Sequence, residues 1–296
     1  MDFENIASEQ MKFLKSINPL ELMDKIRKFR KLDIKNMTYE DISKAICDVL
    51  ESDGKFIYTT NIRSYPRGTN FFRVRELKGS KIPNENLSVE SDFWNAPEKF
   101  ITKYGRLNKP GESLLYTSPI NPQVAIREVK LENNCFYSII VYEAINDIKV
   151  NCIGLEYDYE QLGINDSEAI LINNMINDFL RDEFSRDVGV GTEYLYKISE
   201  IISKWYFDLP PREVQDAWAY PSIKDKTSYN VCFRPDIAKD VLKLKGALIC
   251  KYDNTDNINV KCISHGFNEN GYAKFYELGS DVQKKIFPEI ILNNQN

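Results

Sequence analysis

The stretch between residues 114 and 145, LLYTSPINPQVAIREVKLENNCFYSIIVYEAI, decides the fold. LLYTS (114–118) reads as a short strand, and CFYSIIVYEAI (135–145) is apolar enough for a fully buried strand. Between them, Asn121-Pro122 begins a short helix that continues through QVAIREVK (123–130). The stretch therefore predicts a strand, a short helix and a buried strand in succession.

Strands and helices are also mixed along the rest of the chain. Upstream, FIYTTN (56–61) and FFRVREL (71–77) are strand-like, with Phe72 and Val74 facing one way and Arg73 and Arg75 the other. Downstream come a helix, a strand, a short helix and a strand: YLYKISEIISKWYF (194–207), DAWAYPSI (216–223), DIAKDVLKL (236–244) and GALICKYD (246–253). Because the two kinds of element do not alternate regularly, the order favours an α+β fold with a mixed β-sheet over a doubly wound parallel sheet.

Residues 1–53 are predicted to be an N-terminal helical segment. Pro19 can begin one helix, and Thr38 with Asp41 predicts the N-cap of a second, which we expect Asp53-Gly54 to end. The first helix is basic on one side, from Lys25 to Lys31. That side is either a solvated helix face or a docking surface for nucleic acid, a membrane or a partner.

Two further segments flank or interrupt the main domain, which we place at 54–252. Residues 143–190 contain eleven Asp or Glu and three Lys or Arg, and we expect an acidic helical insertion there. Its helix, DSEAILINNMINDFLRDEF (166–184), is predicted to be an amphipathic surface helix without a chemical role. Turn signals on both sides of INVKCISHGF (258–267) predict a C-terminal hairpin extension over 253–296.

Composition excludes several classes of site. One histidine, His265, cannot supply a histidine metal cage or a two-histidine nuclease site, and the six cysteines include no C-x-x-C pair, so no metal is expected. The net charge of −5 makes nucleic acid an unlikely main partner. The chain has no apolar run long enough for a membrane span, and MDFENIASEQ is not a signal peptide, so we expect a cytoplasmic protein.

Several polar residues interrupt apolar strands and turns. Arg73 lies within a strand, and Arg106 follows Gly105 before a Pro-Gly loop; either can bind phosphate or simply be exposed. Glu128 lies late in the short helix and is either a functional or a solvated carboxylate. Ser222 follows Tyr220-Pro221, where a hydroxyl is more often a local cap than a nucleophile. None of these residues is specific on its own.

Taken in order, six short motifs resemble the RES-domain family, known for the toxins of Xre–RES toxin–antitoxin pairs. The motifs are FRV (72–74), GRLN (105–108), LLYTS (114–118), AIREV (125–129), AYPS (219–222) and YNV (229–231), and the resemblance runs from about residue 56 to about 252. It implies a fold related to ADP-ribosyltransferases and the cleavage of NAD+ at the nicotinamide–ribose bond by hydrolysis or phosphorolysis. A neutralising antitoxin is the partner that it implies.

Matched motif by motif, the resemblance implies that Arg73, Glu128 and Ser222 are the catalytic Arg, Glu and Ser. It places Arg106, Tyr116 and Asn230 in the NAD+ pocket. Trp218, directly before AYPS, departs from the family pattern. Family members often have a small or aliphatic residue at the position of Trp218 or of Ala219.

The residue types also suit this chemistry. A carboxylate such as Glu128 can stabilise the positive charge that develops on the ribose, and arginines can hold a pyrophosphate. We expect Ser222 to orient Glu128 or bind the nicotinamide amide rather than act as a nucleophile. Two alternatives stay open: an ADP-ribosyltransferase that modifies a protein or nucleic acid, and a non-catalytic NAD-binding module.

Overall fold

The computed structural model of the chain describes residues 11–57, 61–79, 85–155, 157–160, 164–208, 212–224, 228–255 and 257–291. The strands of this part are β1 (Glu51–Ser52), β2 (Lys55–Phe56), β3 (Asn61–Tyr65), β4 (Asn70–Leu77), β5 (Leu115–Pro119), β6 (Phe136–Ala144), β7 (Ile148–Cys152), β8 (Ala217–Pro221), β9 (Tyr229–Phe233), β10 (Leu242–Lys251), β11 (Asn259–Phe267) and β12 (Ala273–Glu277). Its helices are α1 (residues 11–16), α2 (Pro19–Phe29), α3 (Tyr39–Val49), α4 (Pro122–Glu128), α5 (Ser167–Phe184), α6 (Tyr196–Asp208), α7 (Pro235–Val241) and α8 (Asp281–Ile286). The predicted α+β class with a mixed sheet is confirmed.

Ten of the strands form one sheet, in the order β12-β11-β10-β6-β4-β5-β9-β8-β7-β3. Its neighbouring strands are antiparallel except β7 and β8, which are parallel. The connection between β4 and β5 consists of the pairs Phe71↔Pro119 and Phe72↔Ser118. Beyond these pairs β4 continues along β6, and β5 continues along β9. The sheet therefore has two halves that meet at this short joint.

The inner faces of the two halves share one apolar core. It contains Phe71, Tyr142 and Ile249 from β4, β6 and β10, together with Val150 and Phe233 from β7 and β9. Five strands separate β10 from β7 in the sheet order, so the sheet has to bend for their side chains to join one cluster. Across the joint, the rings of Phe71 and Phe233 meet edge to face at 5.3 Å.

Helices cover the outer faces. On the first half, α4 and α8 cover Phe72 and Ile139, through Ile126 of α4, Ile286 of α8 and Phe287 directly after α8. On the second half, α2, α3, α5 and α6 pack over β8 and β9 in a cluster that includes Trp218. The N-terminal helices are part of this layer, so residues from about 14 to 50 share their core with α5 and α6.

Helix starts follow the sequence signals. Pro19 occupies the first turn of α2, Thr38 and Asp41 form a capping box at α3, and Asp166 accepts a hydrogen bond from Ala169 N at the start of α5. These helix predictions are confirmed. Most of the apolar face of α5 is buried, with Met175 partly buried, and polar residues such as Asn173 are buried with it, so α5 is a core helix on one side.

Three details differ from the sequence predictions. Asp53-Gly54 does not end α3; both residues have positive φ and form the turn between β1 and β2, after α3 has ended at Val49. Leu242–Leu244 begin β10 rather than extend α7, because they pair with β6. The acidic stretch 143–190 is not helical throughout, since it supplies β7 to the sheet. The middle of FIYTTN, residues 58–60, lies outside the described residues.

The contact between the end of β7 and α5 allows no side chain at Gly154. Gly154 has φ +63°, and a Cβ on it would lie 2.7–2.8 Å from atoms of Arg181. We expect Gly154→Ala to lower the free energy of unfolding by about 2–4 kcal/mol, through overpacking and the left-handed backbone. Denaturant unfolding measures this, with Gly189→Ala as the control because nothing lies within 4 Å of that position. Equal stability of the two variants would contradict the close approach.

The buried carboxyl of Glu200 on α6 makes stability depend on pH. Its side chain is 0% exposed and accepts a hydrogen bond from Tyr39 Oη at 2.9 Å, and burial raises its pKa above the ordinary 4.5. The folded protein therefore keeps a proton that the unfolded chain has released above pH 4.5, so this group lowers the free energy of unfolding as pH rises.

We expect Glu200→Gln, which stays neutral and can still accept from Tyr39, to flatten this fall and to raise the melting temperature at pH 7. Lys204 keeps its ion pair with Glu112 in this variant. Thermal unfolding from pH 4 to pH 8 measures the effect, with the exposed Glu269→Gln as control. A Glu200→Gln protein with the wild-type pH profile would refute the prediction.

Candidate active site

A cleft of about 240 Å³ opens where β4 and β5 separate. Its walls come from β4, β5, the end of α4, β8 and β9, and its lining residues are Phe72, Arg73, Val74, Tyr116, Thr117, Ser118, Ala125, Glu128, Val129, Tyr220 and Asn230. Four of the six residues predicted for the site, Arg73, Tyr116, Glu128 and Asn230, are among them. The structure thus brings together residues that lie up to 157 positions apart in the sequence.

The floor of the cleft is a row of side chains that crosses four strands. Phe72 on β4 pairs with Ser118 on β5, and Tyr220 on β8 pairs with Asn230 on β9. The β5–β9 register, in which Thr117 pairs with Val231, sets Ser118 beside Asn230. Paired residues of neighbouring strands project from the same face of a sheet, so this row presents Ser118 and Asn230 side by side.

Helix α4 carries Glu128 over this row. Asn121 caps the helix by accepting from Gln123 N, Pro122 begins it, and the helix ends at Glu128 because Val129 is extended (φ −96°, ψ 129°). The buried residues Val124, Ala125 and Ile126 fix it on β4 and β5. Because α4 has only two turns and starts directly after β5, the Glu128 carboxylate at the end of α4 lies close to the end of β5.

Two donors hold the Glu128 carboxylate in place. Ser222 Oγ donates to Glu128 Oε1 at 2.5 Å, and Asn230 Nδ2 donates to the same oxygen at 3.0 Å. Ser222 also accepts from Lys224 N at 3.2 Å, and its own backbone N–H donates to Ser228 O, so the turn after β8 holds the hydroxyl. The hydroxyl proton points at the carboxylate, which makes Ser222 an orienting group for Glu128 in this geometry.

The GRLN turn positions Tyr116 on another wall. Tyr116 Oη donates to Asn108 Oδ1 at 2.7 Å and accepts from Leu107 N at 3.1 Å. Gly105 allows the turn because a Cβ there would overlap the Asn108 side chain. Burial raises the pKa of Tyr116 well above the ordinary 10, so the phenol stays neutral in any physiological buffer.

Tyr220 lies beside Tyr116 and was not identified from the sequence. Its ring centroid is 6.4 Å from that of Tyr116 and 6.3 Å from that of Phe184. Burial raises the pKa of Tyr220 well above its ordinary value, and the nearby thiol of Cys232 and carboxylate of Glu128 raise it further. Two aromatic rings and a held carboxylate thus border the same cleft.

Arg73 reaches the cleft from the inner side. On β4 it alternates with Phe72, as predicted, and its Nη1 donates to Trp94 O at 2.5 Å. Tyr142 lies next to it, and burial raises the pKa of Tyr142 to about 12 although Arg73 lowers it. Arg75, two residues on, donates in the same way to Asp92 O at 3.1 Å. Both arginines anchor the segment at 92–94 to β4, and Arg73 also lines the cleft.

Arg106, predicted for the pocket, is not among the cleft residues. Its guanidinium donates to Phe184 O and, at 3.4 Å, to Arg186 O, and lies 5.4 Å from the Tyr196 ring centroid. Phe184 is the last residue of α5, where a cation is favoured by the helix dipole, and Arg186 lies just beyond it. Arg106 thus joins α5, α6 and the GRLN turn.

His265 and Trp218, which the sequence analysis also noted, do not line the cleft. His265 is on β11, where its Nδ1 lies 2.8 Å from Lys245 O. Within the described ranges, no group of three or more His, Cys, Asp or Glu residues could hold a metal ion, and no helix is both long and apolar enough to cross a membrane. Trp218, the departure beside AYPS, faces the outer helical layer, and Arg234 lies 4.9 Å from its ring centroid.

Sequence reasoning missed Ser118 as well as Tyr220. Both stand inside the quoted motifs, LLYTS and AYPS, and strand alternation would have placed Ser118 on the same face as Tyr116, two residues earlier.

Comparisons of the chain with protein-family models, with curated proteins and with solved structures each gave no match.

Proposed function

We propose that this protein is an enzyme that consumes NAD+ by cleaving the bond between nicotinamide and ribose. The observation that carries the proposal is the Glu128 carboxylate, held by Ser222 and Asn230 at the mouth of a cleft bordered by Tyr116 and Tyr220. The ordered RES-like motifs support it, because Ser222 and Asn230, which are 94 and 102 positions from Glu128 in the sequence, both donate to one oxygen of its carboxylate. We also propose a fold relationship to ADP-ribosyltransferases, supported by a mixed sheet whose two halves separate at the cleft.

The proposed reaction needs a stabilised positive charge. When the C1′–N bond breaks, nicotinamide leaves with the bonding electron pair and the ribose becomes oxocarbenium-like. Glu128, fixed in advance by its two donors, stabilises that charge and can accept a hydrogen bond from a ribose hydroxyl. Water then adds to C1′ and releases a proton, giving ADP-ribose; inorganic phosphate would give the 1′-phosphate instead. Ser222 orients the carboxylate, and neither step requires an imidazole or a metal.

The cleft chemistry also suits the rest of the substrate. The rings of Tyr116 and Tyr220 offer aromatic surface to a nicotinamide. Arg73 is the cation among the described lining residues, and a charged phosphate oxygen is a stronger acceptor than the Trp94 carbonyl it holds now. We propose Arg73 as the pyrophosphate ligand. We further propose a cytoplasmic toxin whose activity a neutralising antitoxin restrains, as the motif resemblance implies.

Removing the charge of Glu128 should stop the reaction. We expect Glu128→Gln to lower the turnover of NAD+ at least about 100-fold, because a preorganised charge in the transition state is lost. The amide oxygen can still accept from Ser222 and Asn230, so the fold should be retained. The measurement is nicotinamide release by purified protein in EDTA, with and without phosphate; the exposed Glu132→Gln in the turn after α4 is the control.

The same assay separates the alternatives. Wild-type protein that binds NAD+ without turnover in either buffer would reject the enzyme and leave a binding module. Label from adenine-labelled NAD+ that appears on a macromolecule would assign ADP-ribosyl transfer instead of hydrolysis or phosphorolysis. Full activity of Glu128→Gln would move the catalytic carboxylate elsewhere.

Arg73 and Arg75 form a matched pair for testing the phosphate role. Both side chains project from the same face of β4 and donate to main-chain carbonyls of the same segment, but only Arg73 lines the cleft. We expect Arg73→Ala to weaken NAD+ binding about 10- to 100-fold, the loss of one or two charge-assisted hydrogen bonds, and Arg75→Ala to leave affinity unchanged. Calorimetric titration measures both. Equal affinities would mean that Arg73 only anchors residues 92–94.

A further inference from the structure

Ser118 on β5 is linked to the Glu128 carboxylate through one intermediate side chain. Ser118 Oγ donates to Asn230 Oδ1 at 2.7 Å, and Asn230 Nδ2 donates to Glu128 Oε1 at 3.0 Å. Ser118 and Asn230 are 2% and 5% exposed, so water competes little for either bond. The three side chains form a relay from the strand floor of the cleft to the carboxylate above it.

The relay fixes the Asn230 amide at both ends. An asparagine amide can turn by 180° with almost no change of shape, and its oxygen and nitrogen exchange places when it does. A carboxylate only accepts, so Glu128 favours the orientation in which the NH2 group faces it. The Ser118 hydroxyl satisfies the amide oxygen in that orientation and holds the amide in line with Glu128.

Without the Ser118 hydroxyl, Asn230 Oδ1 would be buried with one partner fewer. A buried acceptor that loses its donor is costly, so the amide would rotate toward another donor or water. Glu128 would then lose one of the two groups that hold Oε1, and Ser222 alone would not fix the plane of the carboxylate. A carboxylate that must be reoriented in each turnover stabilises the transition state less than one fixed in advance.

We propose that Ser118 is a positioning residue that acts through Asn230 to hold Glu128 in its productive orientation. The inference rests on the proposed NAD+ cleavage for its kinetic consequence, but the relay itself is a property of the folded protein. Ser118 also lines the cleft, so the alternative is that its hydroxyl binds substrate directly. The two roles differ in the kinetic constant that they affect.

Kinetics of NAD+ cleavage test the proposal. Ser118→Ala should lower kcat about 10-fold and leave KM within about twofold, whereas a direct contact with bound substrate would raise KM. Ser118→Thr keeps the hydroxyl and should restore most of kcat. In an Asn230→Ala background, Ser118→Ala should have no further effect, because the relay is already broken. Ser138→Ala, which removes an equally buried hydroxyl from β6, is the control for stability.

A second measurement does not depend on catalysis. The side-chain NH2 group of Asn230, observed by 15N NMR, should exchange slowly with solvent in the wild type and at least about 10-fold faster in Ser118→Ala. If the wild type does not cleave NAD+, the proposed function fails, and faster exchange in Ser118→Ala still supports the relay. Unchanged exchange, unchanged kcat or a rise in KM alone would each overturn the positioning role.

Discussion

The two residue pairs that join β4 to β5 are the constraint on which the rest of the molecule depends. Phe71↔Pro119 and Phe72↔Ser118 hold two five-stranded halves in one sheet. On one side the pairing ends at Pro119, which has no N–H for a hydrogen bond between strands. On the other side it ends at the pair Phe72↔Ser118, beyond which β4 and β5 separate. If the β4–β5 pairing were longer, it would close the cleft. If it were absent, the two halves that share the inner core would come apart. The opening exists because the pairing stops after Phe72.

The joint also explains why one carboxylate can meet groups from distant parts of the chain. β5 ends at the joint and leads directly into α4, so Glu128 returns to the strand pair from which its helix began. β9 lies next to β5 and β8 next to β9, which brings Asn230 and Ser222 under the same helix end. The backbone ladder sets this geometry before any side chain contributes. The hydrogen bonds to Oε1 then select one orientation of the carboxylate.

The sequence predicts features that depend on residues close together in the chain, and it does not predict features that depend on residues far apart. Caps and strand alternation are local, so Thr38, Asp166 and the opposite faces of Phe72 and Arg73 could be read directly. The β1–β2 turn at Asp53-Gly54 could not, because a Gly after an Asp suits a helix end and a hairpin turn equally. The order of the strands is non-local. The motif resemblance predicted one site for Glu128, Ser222 and Asn230, but only the β5–β9 register places Ser118 beside Asn230.

The two predicted phosphate ligands differ in what each would have to release. Arg73 holds the main-chain carbonyl of Trp94 and lies beside Tyr142; a phosphate oxygen would replace that carbonyl with a gain, since its charge strengthens the bond. Arg106 holds the Phe184 carbonyl at the C-terminal end of α5 and lies over the Tyr196 ring, and it belongs to the turn that also fixes Tyr116. Moving it would uncap a core helix and loosen a wall of the cleft. In this structure Arg106 therefore braces the cleft wall, and the proposed recognition of a pyrophosphate would fall to Arg73.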